Sequence, residues 1–253
     1  MEILIVVSPF YYCIERMRKM KTGIINANIM KWIAIITMTI DHIAWAFVPT
    51  DSYPAICMHT VGKITGPLMF FFIAEGYHHT GNLKKYLLRL LGFAMISQIP
   101  YSMFVNQGKL LPFAGNVIFT LLLSLIAVIV YEKIDHKIIK WFIIITIVAV
   151  TYWFDWCFFG VLFTVCFHIF YGDMKKQAIC YLILNAIKVM VTYLQYAGSI
   201  YYLLPALISP FLVLILLYLY NGKRGGGKIS KYAFYIFYPA HLIVIYLISS
   251  LIC

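Results

Sequence analysis

The chain has 253 residues, of which 63% are hydrophobic, 17% aromatic and only 11% charged, with a formal net charge of +11. A soluble domain of this length is about 45–50% apolar and about 25% charged. A disordered chain, a soluble nucleic-acid-binding domain and a disulfide-stapled secreted scaffold are therefore excluded. The apolar residues come in blocks near the roughly 20 residues needed to cross a bilayer core. They predict an all-α, polytopic transmembrane helix bundle, a multi-pass protein of a cell membrane.

In chain order, residues 1–28 come first, as an N-terminal segment. Met1–Ile14 is apolar, but its basic cluster (Arg16, Arg18, Lys19, Lys21) follows the apolar stretch, the reverse of a secretory signal. An interfacial helix is expected, its basic residues meeting anionic lipid. Residues 29–253 then form one membrane-embedded domain of about nine spans: 30–49, 61–77, 85–105, 116–131, 138–153, 158–171, 176–194, 200–220 and 232–252. The fifth and sixth are short enough to be a bent pair. Sixteen of the twenty Lys and Arg residues fall before the first span or in the even-numbered loops. That asymmetry places the N-terminus in the cytoplasm. The positive charge is thus topology, with no nucleic-acid partner implied.

The six cysteines are scattered with no C-x-x-C pair, and they read as structural thiols with no metal site. The ionisable residues inside the spans are more informative, because each costs a few kcal/mol in hydrocarbon. Asp41-His42 lies in the first span. Adjacent helix residues point about 100° apart, so the two either line one polar cavity with partners on other helices or form a pair solvated at the outer interface. In the first case His42 handles protons, its ordinary pKa lying near neutrality, and Asp41 orients it or holds a positive charge that forms nearby. Glu75 sits near the end of the second span, beside His79. Lys188 in the seventh span either snorkels or has a role. His168 is expected at the headgroups. His241, after Pro239, is open to a hydrogen bond between helices. Asp155 lies between two tryptophans and reads either as an interfacial turn or as the group that accepts an incoming amine. The stretch Asn221–Lys228, NGKRGGGK, is a flexible positive loop that could also hold phosphates. Arg89 with Lys84-Lys85 adds a second basic cluster.

Several stretches together resemble a known family. KWIAIITMTIDHIA is similar to the first helix of TraX-type proteins, and VGKITGPLMFFFIAEGYHHTGNLKKYLLRLLGFAMISQIPY resembles the family's most specific block. NVIFTL at 116–121, DWCFFGVL at 155–162 and LYNGKRG…YIFYPAH ending at His241 follow in the right order. TraX acetylates the N-terminal amine of a conjugative pilin, and the family looks related to the acyltransferase-3 clan. The resemblance implies an acyltransferase with acetyl-CoA as donor and a peptide N-terminus or glycan as acceptor. It puts catalytic roles on His42, Asp41, His79 and Glu75. Arg89, Lys63, Lys223, Arg224 and Lys228 are expected to hold the donor, and Asp155, Lys188 and His241 the acceptor. Lys63 stands where many relatives carry Arg. The expected reaction moves acetyl from cytoplasmic acetyl-CoA to an extracytoplasmic amine or hydroxyl. The alternatives are a transporter or a non-enzymatic subunit of a secretion or conjugation system.

Overall fold

Helix starts are set by short polar side chains. Asn26, Ser52, Asn82, Asn116 and Asp173 each accept a backbone N–H from the first turn that follows, satisfying donors a helix leaves free. The computed structural model describes residues 23–106, 115–226 and 228–252, without the side chains of residues 228–231. The expected interfacial helix and its basic cluster lie outside the described residues. The helices in chain order are α1 (Ala27–Phe47), α2 (Tyr53–Gly62), α3 (Thr65–His79), α4 (Leu83–Val105), α5 (Val117–Lys133), α6 (Lys137–Val150), α7 (Cys157–Ile169), α8 (Met174–Gln195), α9 (Ile200–Leu219) and α10 (Lys228–Ile252). No strand occurs among the described residues, whose only β pairing is two isolated bridges.

Six helical stretches are long and apolar enough to cross a membrane: α1, α2–α3 taken together, α4, α8, α9 and the Tyr232–Ile252 part of α10. This all-helical chain is a membrane protein. The spans expected at 116–131, 138–153 and 158–171 fall on helices of 17, 14 and 13 residues. At 1.5 Å per residue these reach about 20–26 Å, short of a hydrocarbon core of about 30 Å. Hydropathy registers apolar residues in the right number, but the turn at Thr151–Asp155 ends α6 early. Helix α2 occupies what reads as a loop between the first two spans, because Ser52 caps it and Pro54 suits its first turn.

The α2–α3 stretch is the axis of the bundle. Its apolar window is 61% buried, against 17 to 33% for the other five. Phe70 and Phe71 of α3 are fully enclosed with Phe163 and Phe167 of α7 and with Tyr181 of α8. Phe71 meets Phe167 and Tyr220 edge-on at 5.5 Å. Helix α7 approaches closely at Gly160, where a Cβ would press on Phe70 and Thr120. Outward faces carry Ile138, Phe142, Ile183 and Phe211, which suit lipid and not water.

Helices α1 and α3 run antiparallel, and their register is pinned where Thr37 Oγ1 and Thr65 Oγ1 meet at 2.8 Å and the Thr65 hydroxyl donates to the Ala34 carbonyl. The start of α1 is strapped by the glycine-rich loop. Ala27 N–H donates to the Lys223 carbonyl and Asn28 N–H to the Arg224 carbonyl. These bonds satisfy two donors of the first turn and hold Arg224 beside the helix.

Candidate functional site

A cavity of about 1980 Å³ lies among α1, α3, α4, α8 and α10. Its lining follows α1 from Ala27 to Ala46, about 28 Å of helix. Nine of the ionisable residues singled out in the sequence line it, and they divide between two ends.

At one end, the histidine end, Asp41 and His42 project from α1. Asp41 Oδ1 accepts from His59 Nδ1 of α2 at 2.8 Å, and His59 is itself buried against Trp45. Gly62 makes room for this pair, since a Cβ there would overlap the Asp41 carboxylate. His42 instead meets His241 of α10, with Nδ1 and Nε2 3.1 Å apart and the edge of Phe104 against the His42 ring. Asp41 therefore does not orient His42, as expected from the sequence. The 100° between adjacent side chains sends each to a different helix. His241 does not line the cavity; the expectation that it holds the acceptor gives way to a contact with His42 across helices.

The same end receives Asp155 from the turn before α7. There the backbone is strained: Trp156 and Cys157, neither a glycine, take φ of 66° and 43°. Such residues cost about 1–3 kcal/mol each and persist where surrounding contacts over-determine them. Those contacts are visible. Asp155 Oδ1 accepts from Trp156 N–H at 2.9 Å, Thr120 donates to the Asp155 carbonyl at 2.6 Å, and Gly115 exchanges backbone hydrogen bonds with Trp153 and Asp155. The Trp156 indole fills the space left by Gly66. The Lys188 ammonium lies 3.9 Å from the centre of the Trp156 ring, so Lys188 turns inward and does not snorkel. Burial pushes the Asp155 carboxyl up to about 6, against the Trp156 hydrogen bond, which favours the ionised form. Lys63, expected among the donor-binding cations, caps α2 at this end instead, within electrostatic reach of Asp41 and Asp155.

At the other end, the arginine end, Lys31, Arg89 and Arg224 line the cavity, with Lys31 in electrostatic reach of both arginines. None of the three has a carboxylate within ion-pairing distance among the described residues. Two of them face aromatic rings: Lys31 lies 5.0 Å from the Phe72 centroid, and the Arg89 guanidinium lies 5.1 Å from that of Tyr86 and 5.5 Å from that of Tyr235. Arg89 Nε is buried with no hydrogen-bond partner. Glu75 is buried here, taking a hydrogen bond from the Tyr220 hydroxyl at 3.2 Å and meeting His79 Nε2 at 3.3 Å. Counting from the Thr37–Thr65 contact, Glu75 and His42 lie about 20 Å apart along the bundle. Glu75 and His79 thus belong to the arginine end and share no reacting centre with His42. Lys223 is exposed outside the cavity, while the Lys228 side chain lies outside the described residues.

Three participants escape a reading of the sequence. His59 sits in what reads as a loop, Tyr220 bonds a carboxylate 145 positions away, and Lys31 looks like a residue at a span's edge. His168, expected at the headgroups, is buried and meets Glu132 at 2.7 Å. Among the described residues no three His, Cys, Asp or Glu side chains gather as a metal site would require.

The chain is 34% identical over 226 residues to "Probable fimbrial assembly protein FimC, serogroup H1" of Dichelobacter nodosus, an alignment covering 84% of this chain and 91% of that protein. No solved structure matches. The family described as TraX protein matches residues 26–249, nearly the whole of the described bundle, and the chain belongs to that family.

Proposed function

We propose that this protein is an integral-membrane acyltransferase that moves an acetyl group from acetyl-CoA to an amine or hydroxyl. One observation carries the reading: a single cavity joins an unpaired cationic end to a histidine end. Lys31 and His42 are separated by about 16 Å along α1. An extended pantetheine arm, with the backbone length of roughly four peptide residues, spans about 14 Å. The unpartnered Arg89 Nε and the aromatic rings beside it fit a phosphorylated, adenine-bearing donor. Arg89, Arg224 and Lys31 would hold its phosphates, while Glu75 and His79 frame the entrance.

At the histidine end His42 takes the proton of the acceptor's N–H or O–H as that nitrogen or oxygen bonds the thioester carbonyl carbon. The C–S bond then breaks, and the imidazolium returns the proton to the departing sulfur. Asp155 and Lys188 bound the acceptor, with ionised Asp155 suited to an ammonium group. The surplus of positive charge in alternate loops puts the arginine end in the cytoplasm and the acceptor, a peptide N-terminus or a glycan, on the outer side. In that topology α5, α6 and α7 complete a nine-span bundle by packing against longer neighbours.

Purified protein in lipid vesicles, given radiolabelled acetyl-CoA, is expected to release CoA, slowly to water and faster to added amine. Absence of both, in protein that remains folded, would overturn the reading. A second reading is supported by the name of the relative, a probable fimbrial assembly protein: a subunit that assists pilus assembly without transferring a group. The same assay separates the two.

A further inference from the structure

The direction of the hydrogen bond between His241 and His42 follows from the partners of His241. Its Nδ1 lies 2.9 Å from the Phe237 carbonyl, one turn back on α10. A carbonyl oxygen only accepts, so the proton sits on Nδ1 of His241. A neutral imidazole has one donor and one acceptor nitrogen, and His241 Nε2 is therefore the acceptor. His42 Nδ1, 3.1 Å from that nitrogen, has to be the donor. Neutral His42 then carries its lone pair on Nε2, and His42, not His241, lines the cavity. The rings are held for this exchange. Phe237 stacks on His241 at 5.1 Å and 11°, and Phe104 meets His42 edge-on at 5.2 Å.

We infer that His241 is a positioning residue that fixes the Nδ1–H tautomer of His42 and so leaves Nε2 as the nitrogen that accepts a proton. A ring free to choose would spend part of its time with Nε2 protonated and unable to act as a base. The bond also survives the reaction: when Nε2 is protonated, Nδ1–H remains a donor to His241, so the imidazolium needs no rearrangement of its partner. The catalytic part of this inference rests on the acyltransferase reading, whereas the tautomer does not.

Two measurements on the full chain in lipid test it. With nitrogen-15 histidine in alkaline buffer, where the rings are neutral, the ring-nitrogen correlation pattern of His42 is expected to be that of the Nδ1–H form. His42→Gln, losing one pattern, identifies the signal. A dominant Nε2–H form would overturn the inference whether or not the protein is an enzyme. In the acetyl-transfer assay, His241→Leu is expected to lower kcat at least tenfold with the donor KM unchanged. His241→Gln, whose amide oxygen can still accept from His42 Nδ1–H, is expected to restore kcat to within about threefold of the parent. Equal activity of the Leu and Gln variants would overturn the positioning role. A parent chain inactive with acetyl-CoA but showing the Nδ1–H form would remove the acyltransferase reading and keep the tautomer.

Discussion

The two ends of the cavity treat charge in opposite ways. At the histidine end each titratable group of α1 is matched to one partner on another helix, Asp41 to His59 and His42 to His241. At the arginine end Lys31 and Arg89 face aromatic rings, Arg224 lines the cavity beside them, and the one nearby carboxylate among the described residues, Glu75, is taken up by Tyr220 and His79. Paired groups with defined hydrogen bonds suit the movement of a proton, because each nitrogen has an assigned role. Unpaired cations suit capture of an anion, because no internal partner has to be displaced first. On the acyltransferase reading, the difference separates the chemistry from the binding of the donor, about 16–20 Å away.

That separation can be broken from either side. His42→Ala removes the base and is expected to lower kcat by about 10²–10⁴-fold while the KM for acetyl-CoA stays within about twofold, read from CoA release. Reversing the charge of Arg89 and Arg224 to Glu is expected to do the converse: the donor KM rises about 10- to 100-fold at nearly constant kcat. If both variants changed kcat and KM alike, the two ends would be one site.

Asp155 sharpens the contrast through pH. A carboxyl raised from 3.8 to about 6 by burial holds its proton more tightly in the folded chain. Its contribution to stability is complete below the ordinary carboxylate range and is lost as pH rises through about 6. Asp155→Asn stays neutral and keeps the acceptor for Trp156 N–H. It is expected to match the parent in acid and to gain about 2 kcal/mol near neutral pH, measured as the thermal midpoint in detergent. A gain that did not depend on pH would locate the strain in the backbone turn instead. The smallest effect concerns two glycines. Gly62→Ala forces a methyl into the Asp41 carboxylate and is expected to cost about 1–2 kcal/mol. Gly92→Ala, with nothing near its Cβ, is expected to raise stability by less than about 1 kcal/mol.

The sequence made the cost of ionisable groups in hydrocarbon visible, and so it pointed to Asp41, His42, Lys188 and Asp155 before any geometry. It also offered partners on other helices for Asp41 and His42, since neighbours on a helix diverge, beside the alternative of a pair solvated at the outer interface. Which partners could not be read, because His59 and His241 come close only through the packing of α2 and α10 against α1. Glu75 and His79 stand in the block that most resembles the family, and that resemblance groups residues by their presence in a motif. The rise along α3 moves them to the far end. The three short helices show the same limit: an apolar stretch registers as a span, while its length is decided by caps and turns such as that at Asp155.

The strap at Lys223–Arg224 fixes where α1 begins, and the Thr37–Thr65 contact fixes its height in the bundle. With both settled, the distance from the arginine end to His42 is a constant of the molecule, as rigid as the helix between them. On the acyltransferase reading, α1 is a gauge that measures the carrier and not the cargo. A donor whose phosphates sit at the wrong distance from its thioester would bind and not react. Shortened pantetheine thioesters would fail even when their acetyl group is unchanged.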